Sequence, residues 1–380
     1  MKIIAVAALL ALAISASAQT EDIRDLKLKD WTPRSMMVTK ETKVDRPAFP
    51  VVDIHNHLGS GKGRFTPENV KRMLAEMDAA GIRTVINLDG TWGDRLKETL
   101  QALDQGYPGR FYTFANIDFG GIDDEGWSKR QADQLEVGFK AGARGLKFYK
   151  QFGLGFRYKD GRFVPVDDPK LNPVWDVCAK YKRPVIIHTA DPAAFWTPLD
   201  RFNERWHELN ENPGWLFGGG KYPKREDLLA QLEKVIATHP KTTFISTHFG
   251  NNAEDLGAVA RQMDKYPNML VDIDARISEL GRQPYTSRRF FLKYQDRIMF
   301  GTDTYPDREA YRIYFRFLET DDEYFDCARS HHLQGFWQIY GIFLPRDVLA
   351  KVYYKNADRL FAAEKMTINK GTPVRKVVSR

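Results

Sequence analysis

The residues best suited to chemistry are four histidines and one aspartate that stand at the ends of apolar runs. In chain order they are His55, His57, His188, His248 and Asp303. Because His55 and His57 are two residues apart, their side chains point to the same side if this run is a β-strand. Neutral imidazoles with one carboxylate form a ligand set that zinc and similar divalent metals prefer. If the fold brings these positions together, the sequence predicts a metal centre.

Such a centre indicates a particular chemistry. Three histidines and one aspartate can hold an ion and leave room for water or substrate, and a bound water then ionises with a pKa near about 7. A single histidine is more often a buried structural residue, but a set of five at apolar run ends argues against coincidence. The other histidines fall in loops or at a helix end, so we expect structural roles for them. They are His207, His239, His331 and His332.

The elements that must position these residues alternate along the chain. Short β-rich runs are followed by helical patterns eight times, which is typical of parallel strands with crossover helices. The predicted strands are Phe49–His57, Arg83–Leu88, Phe111–Asp118, Gly145–Tyr149, Pro184–Thr189, Thr243–His248, Met269–Ala275 and Ile298–Asp303. Eight β/α units favour an α/β fold closed into a (β/α)8 TIM barrel, whose strand ends converge on one mouth.

The helices and loops carry their own signals. The first predicted helix has Thr66 as its cap, Pro67 in the first turn and Gly81 just past its end. Two long connections leave the carboxyl ends of strands: residues 151–171, with a hairpin turn at Asp160-Gly161, and the aromatic stretch 190–225. We expect these extended βα loops to form walls of the active site. A third long connection covers residues 321–344.

The order of these motifs resembles the amidohydrolase superfamily, and within it the amidohydrolase-related branch that contains aminocarboxymuconate-semialdehyde decarboxylase. The motifs are Asp53-Ile54-His55-Asn56-His57, Ile187-His188, Thr247-His248, Gly301-Thr302-Asp303 and a closing helix at Asn356–Phe361. The similarity spans roughly residues 49–362. It implies that His55, His57, His188 and Asp303 are metal ligands, and that His248 is a catalytic residue outside the ligand set. Asp303 could also act as a base.

Lys147, at the end of the fourth predicted strand, leaves three interpretations open. In some branches of the superfamily a lysine here is carboxylated and bridges two metals, so the chain would hold one ion, most simply zinc, or two. The amine could instead bind a substrate carboxylate, or it could reach solvent at the rim. Arg276 and Tyr149 are further candidates for substrate binding, and Asp274 for orienting a ligand or Arg276. The positive charges of Lys147 and Arg276 favour a small anionic substrate.

The ends of the chain and its composition set further expectations. Residues 1–18 read as a signal peptide cleaved after Ala18, which predicts export to the periplasm or beyond; residues 19–48 read as an irregular arm laid on the barrel, 49–362 as the barrel and 363–380 as a tail. The net charge of +7 is spread along 380 residues, so nucleic-acid binding is not indicated. No later segment could span a membrane, and a homo-oligomer is compatible with the sequence. Cys178 and Cys327 make no disulfide framework.

Three functions fit these residues to different degrees. Metal-assisted hydrolysis leads, because a metal-activated water is the commonest use of such a site. The alternative is metal-dependent non-oxidative decarboxylation on the same scaffold. A non-catalytic periplasmic binding protein is disfavoured, because the ligand set is complete and a decayed enzyme would be expected to lose a ligand.

Overall fold

The structure, a computed structural model, describes residues 22–327 and 335–361. The predicted signal peptide, the predicted tail at 363–380, His331 and His332 lie outside this part of the chain. Residues 22–37 form a unit by themselves, with 3-10 turns at Ile23–Asp25 and Leu28–Asp30. The residues described from Val38 onward belong to a second unit, which contains the barrel.

Eight parallel strands form the barrel, as the sequence predicts. They are β1 (Val51–Asn56), β2 (Ile82–Asn87), β3 (Phe111–Thr113), β4 (Leu146–Phe148), β5 (Val185–Ile187), β6 (Phe244–Ser246), β7 (Met269–Asp272) and β8 (Ile298–Met299). A bridge between Ala115 and Leu146 joins β3 to β4. The barrel closes where Ile54 N donates to Phe300 O at 3.0 Å and Asp303 N donates to His55 O at 2.9 Å.

Helices surround the strands. The described helices are α1 (Pro67–Ala80), α2 (Gly93–Leu100), α3 (Trp127–Ala141), α4 (Gln151–Leu154), α5 (Asn172–Lys180), α6 (Trp206–Glu211), α7 (Arg225–Thr238), α8 (Thr247–Gly250), α9 (Leu256–Lys265), α10 (Ile277–Arg282), α11 (Pro284–Lys293), α12 (Arg308–Glu319), α13 (Arg346–Ala350) and α14 (Asn356–Phe361). The start and end of α1 are confirmed: Thr66 Oγ1 accepts from Asn69 N at 3.3 Å, and Gly81 has φ 76°. None of the described helices is long and apolar enough to cross a bilayer.

Alternation along the strands divides the core into two layers. One set of side chains faces the helices, and the other fills the barrel interior with Val52, Ile54, Ile86, Leu88, Phe114, Ile186, Ile245, Leu270 and Met299. Ala357 and Phe361 of α14 pack against this interior set, with the Phe361 ring 5.9 Å from that of Phe114. The interior is therefore packed, which leaves the mouth at the carboxyl ends of the strands for a site.

Several predicted strands are too long at that mouth. The structure ends β6 at Ser246, β7 at Asp272 and β8 at Met299, before the predicted ends at His248, Ala275 and Asp303. The reason is local: these last three residues take left-handed backbone angles, with φ of 52°, 50° and 60°. Each such angle in a non-glycine residue costs about 1–3 kcal/mol and turns the chain out of the sheet.

The connecting segments pack on the barrel. The predicted hairpin is present, with Arg157 bridged to Phe163 and Gly161 at φ 86°. In the 190–225 segment, the Phe195 and Trp215 rings stack at 6.1 Å. From the predicted arm, Ala48 N donates to Glu319 Oε1 at 3.0 Å, so this end of the arm lies against α12.

Candidate active site

His55 lies in β1 and His57 directly follows it, and a carboxylate holds each ring at Nδ1. His55 Nδ1 lies 2.9 Å from Asp274 Oδ2, and His57 Nδ1 lies 2.7 Å from Asp89 Oδ1. A carboxylate at Nδ1 fixes the tautomer that leaves the Nε2 lone pair for a metal. Both Nε2 atoms lie near Asp303 Oδ1, at 3.6 Å from His55 and 3.2 Å from His57. Three of the four predicted ligands therefore converge.

His248 is closer to this cluster than the sequence suggests. His55, His248, Asp274 and Asp303 each offer a ligand atom, and these atoms all lie within 4.8 Å of one another. Asp274 Oδ2 lies 3.0 Å from His248 Nδ1 and also reaches His55, so one buried carboxylate orients both rings. The position of Asp274 matches the orienting role expected of it. Nε2 of His248 points away from Asp274.

His188 reaches the cluster through His248. Its Nδ1 lies 3.0 Å from His248 Nε2, and its Nε2 lies 3.2 Å from Asp191 Oδ1. His188 therefore lies at the same mouth as the other predicted ligands, but it is not in the group of four whose atoms lie within 4.8 Å.

Lys147 lies inside the cluster and not at the solvent-facing rim. Its side chain is buried, and its Nζ lies 3.0 Å from His55 Nε2. Burial lowers the pKa of Lys147, which favours the neutral amine. Tyr149 stands beside it and donates its hydroxyl to Asp89 Oδ1 at 2.8 Å and to Leu88 O at 2.9 Å.

Burial and ion pairing set the protonation of the site. Burial lowers the pKa of His55 to about 4. Burial also opposes the charge on His57, but hydrogen bonds to Asp303 and Asp89 raise its pKa to about 9. Asp272 packs beside Asp274: burial and repulsion by Asp274 raise the pKa of Asp272 well above its usual value. The pKa of Asp274 stays well below its usual value despite burial, because the imidazoles of His248 and His55 lie against its carboxylate and favour its ionised form.

A cavity of about 250 Å³ opens above these groups. Arg276, Lys150, Asp191 and Glu208 line it together with the histidines. Arg276 is buried at the start of α10, donates Nη1 to the carbonyl of Ala275 at 2.7 Å and has Nη2 3.7 Å from Asp191 Oδ1. Lys150 Nζ lies 3.6 Å from Asp191 Oδ2, so one carboxylate accompanies both cations.

The donor set fits a divalent ion. His55 and His57 both present Nε2 toward Asp303, with carboxylates behind each ring, and this is the arrangement that supports histidine–metal bonds. A bound ion would supply Lewis acidity to substrate or water oxygens. The chemistry of the residues present therefore fits a divalent metal ion.

Sequence reasoning missed several residues of the site. They are Asp89, Asp191, Glu208 and Asp272, as parts of the site wall or of the hydrogen-bond network. Asp272 and Asp274 had the same two-residue spacing after an apolar run as His55 and His57, so that signal was present. Glu208 had no such signal, because it comes from the 190–225 segment and meets the cavity only in the folded chain. The structural roles expected for His207 and His239 agree with a ring contact to Phe336 and a hydrogen-bond distance to Val235 O.

The fold and site define a barrel protein with a candidate divalent-metal centre. The sequence profile of the amidohydrolase family matches residues 52–363, and the chain belongs to that family. No curated protein sequence matches the chain.

Solved structures share the fold. An uncharacterised TIM-barrel protein from Bordetella bronchiseptica is 17% identical with a TM-score of 0.51, over 83% of this chain and 99% of that one. A 4-oxalomesaconate hydratase from Rhodopseudomonas palustris is 13% identical, TM-score 0.50, over 82% and 95%. A dihydroxybenzoic acid decarboxylase from a Polaromonas species, with bound manganese, is 15% identical, TM-score 0.50, over 83% and 97%. At these identities the likeness concerns the fold, and it agrees with the predicted TIM barrel.

Proposed function

We propose that this protein is a metal-dependent carboxy-lyase that decarboxylates a small carboxylic acid. The observation that carries the proposal is the pairing of two basic side chains of the cavity wall, Lys150 and Arg276, with one buried carboxylate. Asp191 lies within 3.7 Å of Arg276 and 3.6 Å of Lys150. A departing carboxylate must not be held by a strong unpaired cation, and here the cations that could attract a substrate are already partly neutralised. Lys150 and Arg276 can therefore orient an acidic substrate without preventing its carboxylate from leaving as carbon dioxide.

The residues of the chain then divide the work. His55, His57, His188 and Asp303 would hold the divalent ion, which supplies Lewis acidity to substrate oxygens when bound. His248 is the proton donor. When the bond between the substrate carbon and its carboxylate breaks, the electrons of that bond remain on the carbon, which then takes a proton from His248. Asp274 holds Nδ1 of His248 at 3.0 Å, so the transferred proton is assigned to Nε2, the nitrogen that lies 3.0 Å from His188 Nδ1.

The structural neighbours support lyase chemistry by their names, a hydratase and a manganese-containing decarboxylase. The ligand set alone favours zinc, and manganese is the second candidate ion. Metal analysis of the purified protein, followed by reconstitution with each ion, tests this part of the proposal. Activity restored by neither ion would contradict it.

Hydrolysis is the second candidate, and one observation favours it. Asp303 Oδ1 lies between His57 Nε2 at 3.2 Å and His55 Nε2 at 3.6 Å, where a carboxylate could accept a proton from water in the cavity. A substrate screen should therefore include aromatic and aliphatic carboxylic acids, lactones, esters and amides.

An isotope experiment separates the two candidates. Run in oxygen-18 water, a decarboxylase releases one carbon dioxide per turnover, and its remaining product carries no label. Label in the product without gas release would overturn the carboxy-lyase proposal and establish hydrolysis. His248→Ala is the companion variant, because loss of the proton donor should lower the rate of gas release while the bound metal is retained.

A further inference from the structure

A second cavity adjoins the candidate active site on the side of β2, β3 and β4. Its volume is about 520 Å³, and Lys147 and Tyr149 line both this cavity and the one that holds the metal-type donors. Pockets for small organic ligands usually measure roughly 300–1,000 Å³. The reaction cavity, at about 250 Å³, is below that range, whereas the second cavity lies within it. A substrate of ordinary size would therefore extend past Tyr149.

The walls of the second cavity are fixed before any ligand arrives. Asn116 Oδ1 accepts from Thr91 N at 2.7 Å, and its Nδ2 donates to Leu88 O at 3.1 Å and Lys147 O at 3.2 Å, which ties three strand ends together. Across the cavity, the Phe119 and Phe156 rings stack with centroids 3.9 Å apart and an interplanar angle of 9°. A preformed wall binds a ligand with little ordering cost.

Trp92 also lines the second cavity, and its ring differs from the other aromatic rings there in its contacts. Within residues 22–327 and 335–361, no ring contact or hydrogen bond joins the half-buried Trp92 side chain to another residue. Phe119 and Phe156, by contrast, already stack on each other. An unpartnered indole that lines a cavity offers a flat face to a ligand ring.

The charged groups that line the cavity balance one another and already have partners, so they do not call for an anionic occupant. Asp89 and Asp118 bear carboxylates, and Lys147 and Arg157 are basic. Asp89 Oδ1 lies 2.7 Å from His57 Nδ1, and Lys147 Nζ lies 3.0 Å from His55 Nε2. The Arg157 guanidinium lies 3.6 Å from the centre of the Phe163 ring and donates to Gly161 O. A neutral, flat and apolar group meets these conditions best.

We propose that the second cavity binds a neutral aryl group that is appended to the reacting carboxylic acid and is not itself the reacting ring. The inference rests on the proposed function, because it places the acid end of the substrate in the reaction cavity. The substrate class is a carboxylic acid joined by a short linker past Tyr149 to an aromatic ring. Trp92 stacks on that ring and determines specificity for it.

Matched ligands test this without knowledge of the natural substrate. Malonate, benzylmalonate and cyclohexylmethylmalonate share one head group, and calorimetry on the manganese-loaded protein compares their affinities. Benzylmalonate is expected to bind at least about tenfold more tightly than malonate, with the saturated analogue in between. In Trp92→Ala the benzylmalonate-to-malonate affinity ratio should fall toward one, and in Trp92→Phe most of it should return. Tyr285→Ala, which removes an aromatic side chain 79% exposed on α11, is the control and should keep the ratio.

A neutral probe separates this inference from the proposed function. Phenethyl alcohol has the ring and no acid, and ligand-observed NMR measures its binding to the metal-free protein. Binding that disappears in Trp92→Ala supports the aryl site even if malonate fails to bind, and that failure would count against the carboxylate head site alone. An affinity ratio unchanged by Trp92→Ala, or phenethyl alcohol binding equally to both proteins, would overturn the aryl site and leave the proposed function standing.

Discussion

Replacing Asp89 with asparagine should weaken metal binding although Asp89 is not expected to touch the ion. Asp89 Oδ1 lies 2.7 Å from His57 Nδ1 and accepts from Tyr149 Oη at 2.8 Å, and Oδ2 accepts from Gly59 N at 2.8 Å. Asn keeps the shape, but its neutral oxygen is a weaker acceptor and its amino group cannot accept. The His57 ring would then lose the charged partner that fixes its Nε2 as a ligand.

The magnitude follows from the type of bond lost. A hydrogen bond to a charged group contributes about 1.5–3 kcal/mol, which corresponds to an affinity loss of roughly 10- to 100-fold. Competition against a chelating dye at one fixed pH measures the manganese and zinc affinities, and thermal melting of the metal-free protein checks that the fold is intact.

Two further variants make the result interpretable. Tyr149→Phe removes the second bond to the same oxygen and leaves the His57 contact, so its loss of affinity should be smaller. Asp94→Asn changes a carboxylate that is 93% exposed and should have no effect. If Asp89→Asn binds metal within about threefold of the unmodified protein, Asp89 does not position a ligand in the manner of carboxylate–histidine pairs, and the reasoning is refuted.

Three other outcomes are expected. His248→Ala should lose about 100- to 10,000-fold in turnover while retaining metal; equal loss of both, measured by kinetics and metal analysis, would make His248 a ligand. Burial raises the pKa of Asp104 to about 7 from its ordinary 3.8. Between these two pH values the folded protein therefore holds a proton that the unfolded chain releases. The free energy of unfolding should fall by roughly 4 kcal/mol as the pH rises from 3.8 to about 7. Denaturant titrations of Asp104→Asn should lack this fall, and a retained fall would assign it elsewhere. Arg205→Met should destabilise the protein by about 3–5 kcal/mol, because it leaves the buried carboxylates of Glu208 and Glu279 without their cation. If the double variant Arg205→Met, Glu279→Gln regains stability, this cause is supported. A melting temperature that the single variant leaves unchanged would contradict it.

The order of the strands could be predicted from the sequence because each strand is an apolar run bounded by turn residues. The cap at Thr66 and the left-handed Gly81 are local signals, and local signals determine where α1 begins and ends. The strand ends at the mouth were predicted less well. His248 and Asp303 come shortly after the apolar pairs Phe244-Ile245 and Met299-Phe300, a pattern that reads as continuing strand, whereas both residues take left-handed backbone angles.

The histidines and Asp303 could be named as candidates from the sequence, but the orientation of the rings could not. Histidine at a strand end signals a candidate ligand, but which ring nitrogen faces the cavity depends on a partner far away in the chain. Asp89 sets this for His57, and Asp274 sets it for both His55 and His248. Asp274 was a candidate for such a role from the sequence, but the tertiary structure pairs Asp89 with His57, and spacing along the sequence could not indicate that pairing.

The seam of the barrel has a consequence for synthesis of the protein. His55 lies in β1 and His57 directly follows it. The neighbour of β1 at the seam is β8, and beyond β8 the backbone N–H of Asp303 donates to His55 O. A ribosome therefore makes two of the candidate ligands early and the carboxylate that completes their cluster more than two hundred residues later. A nascent chain that stops short of β8 can neither close the barrel nor form the centre. Assembly of the candidate ligand set is thus tied to completion of the chain, and truncated products lack a complete set.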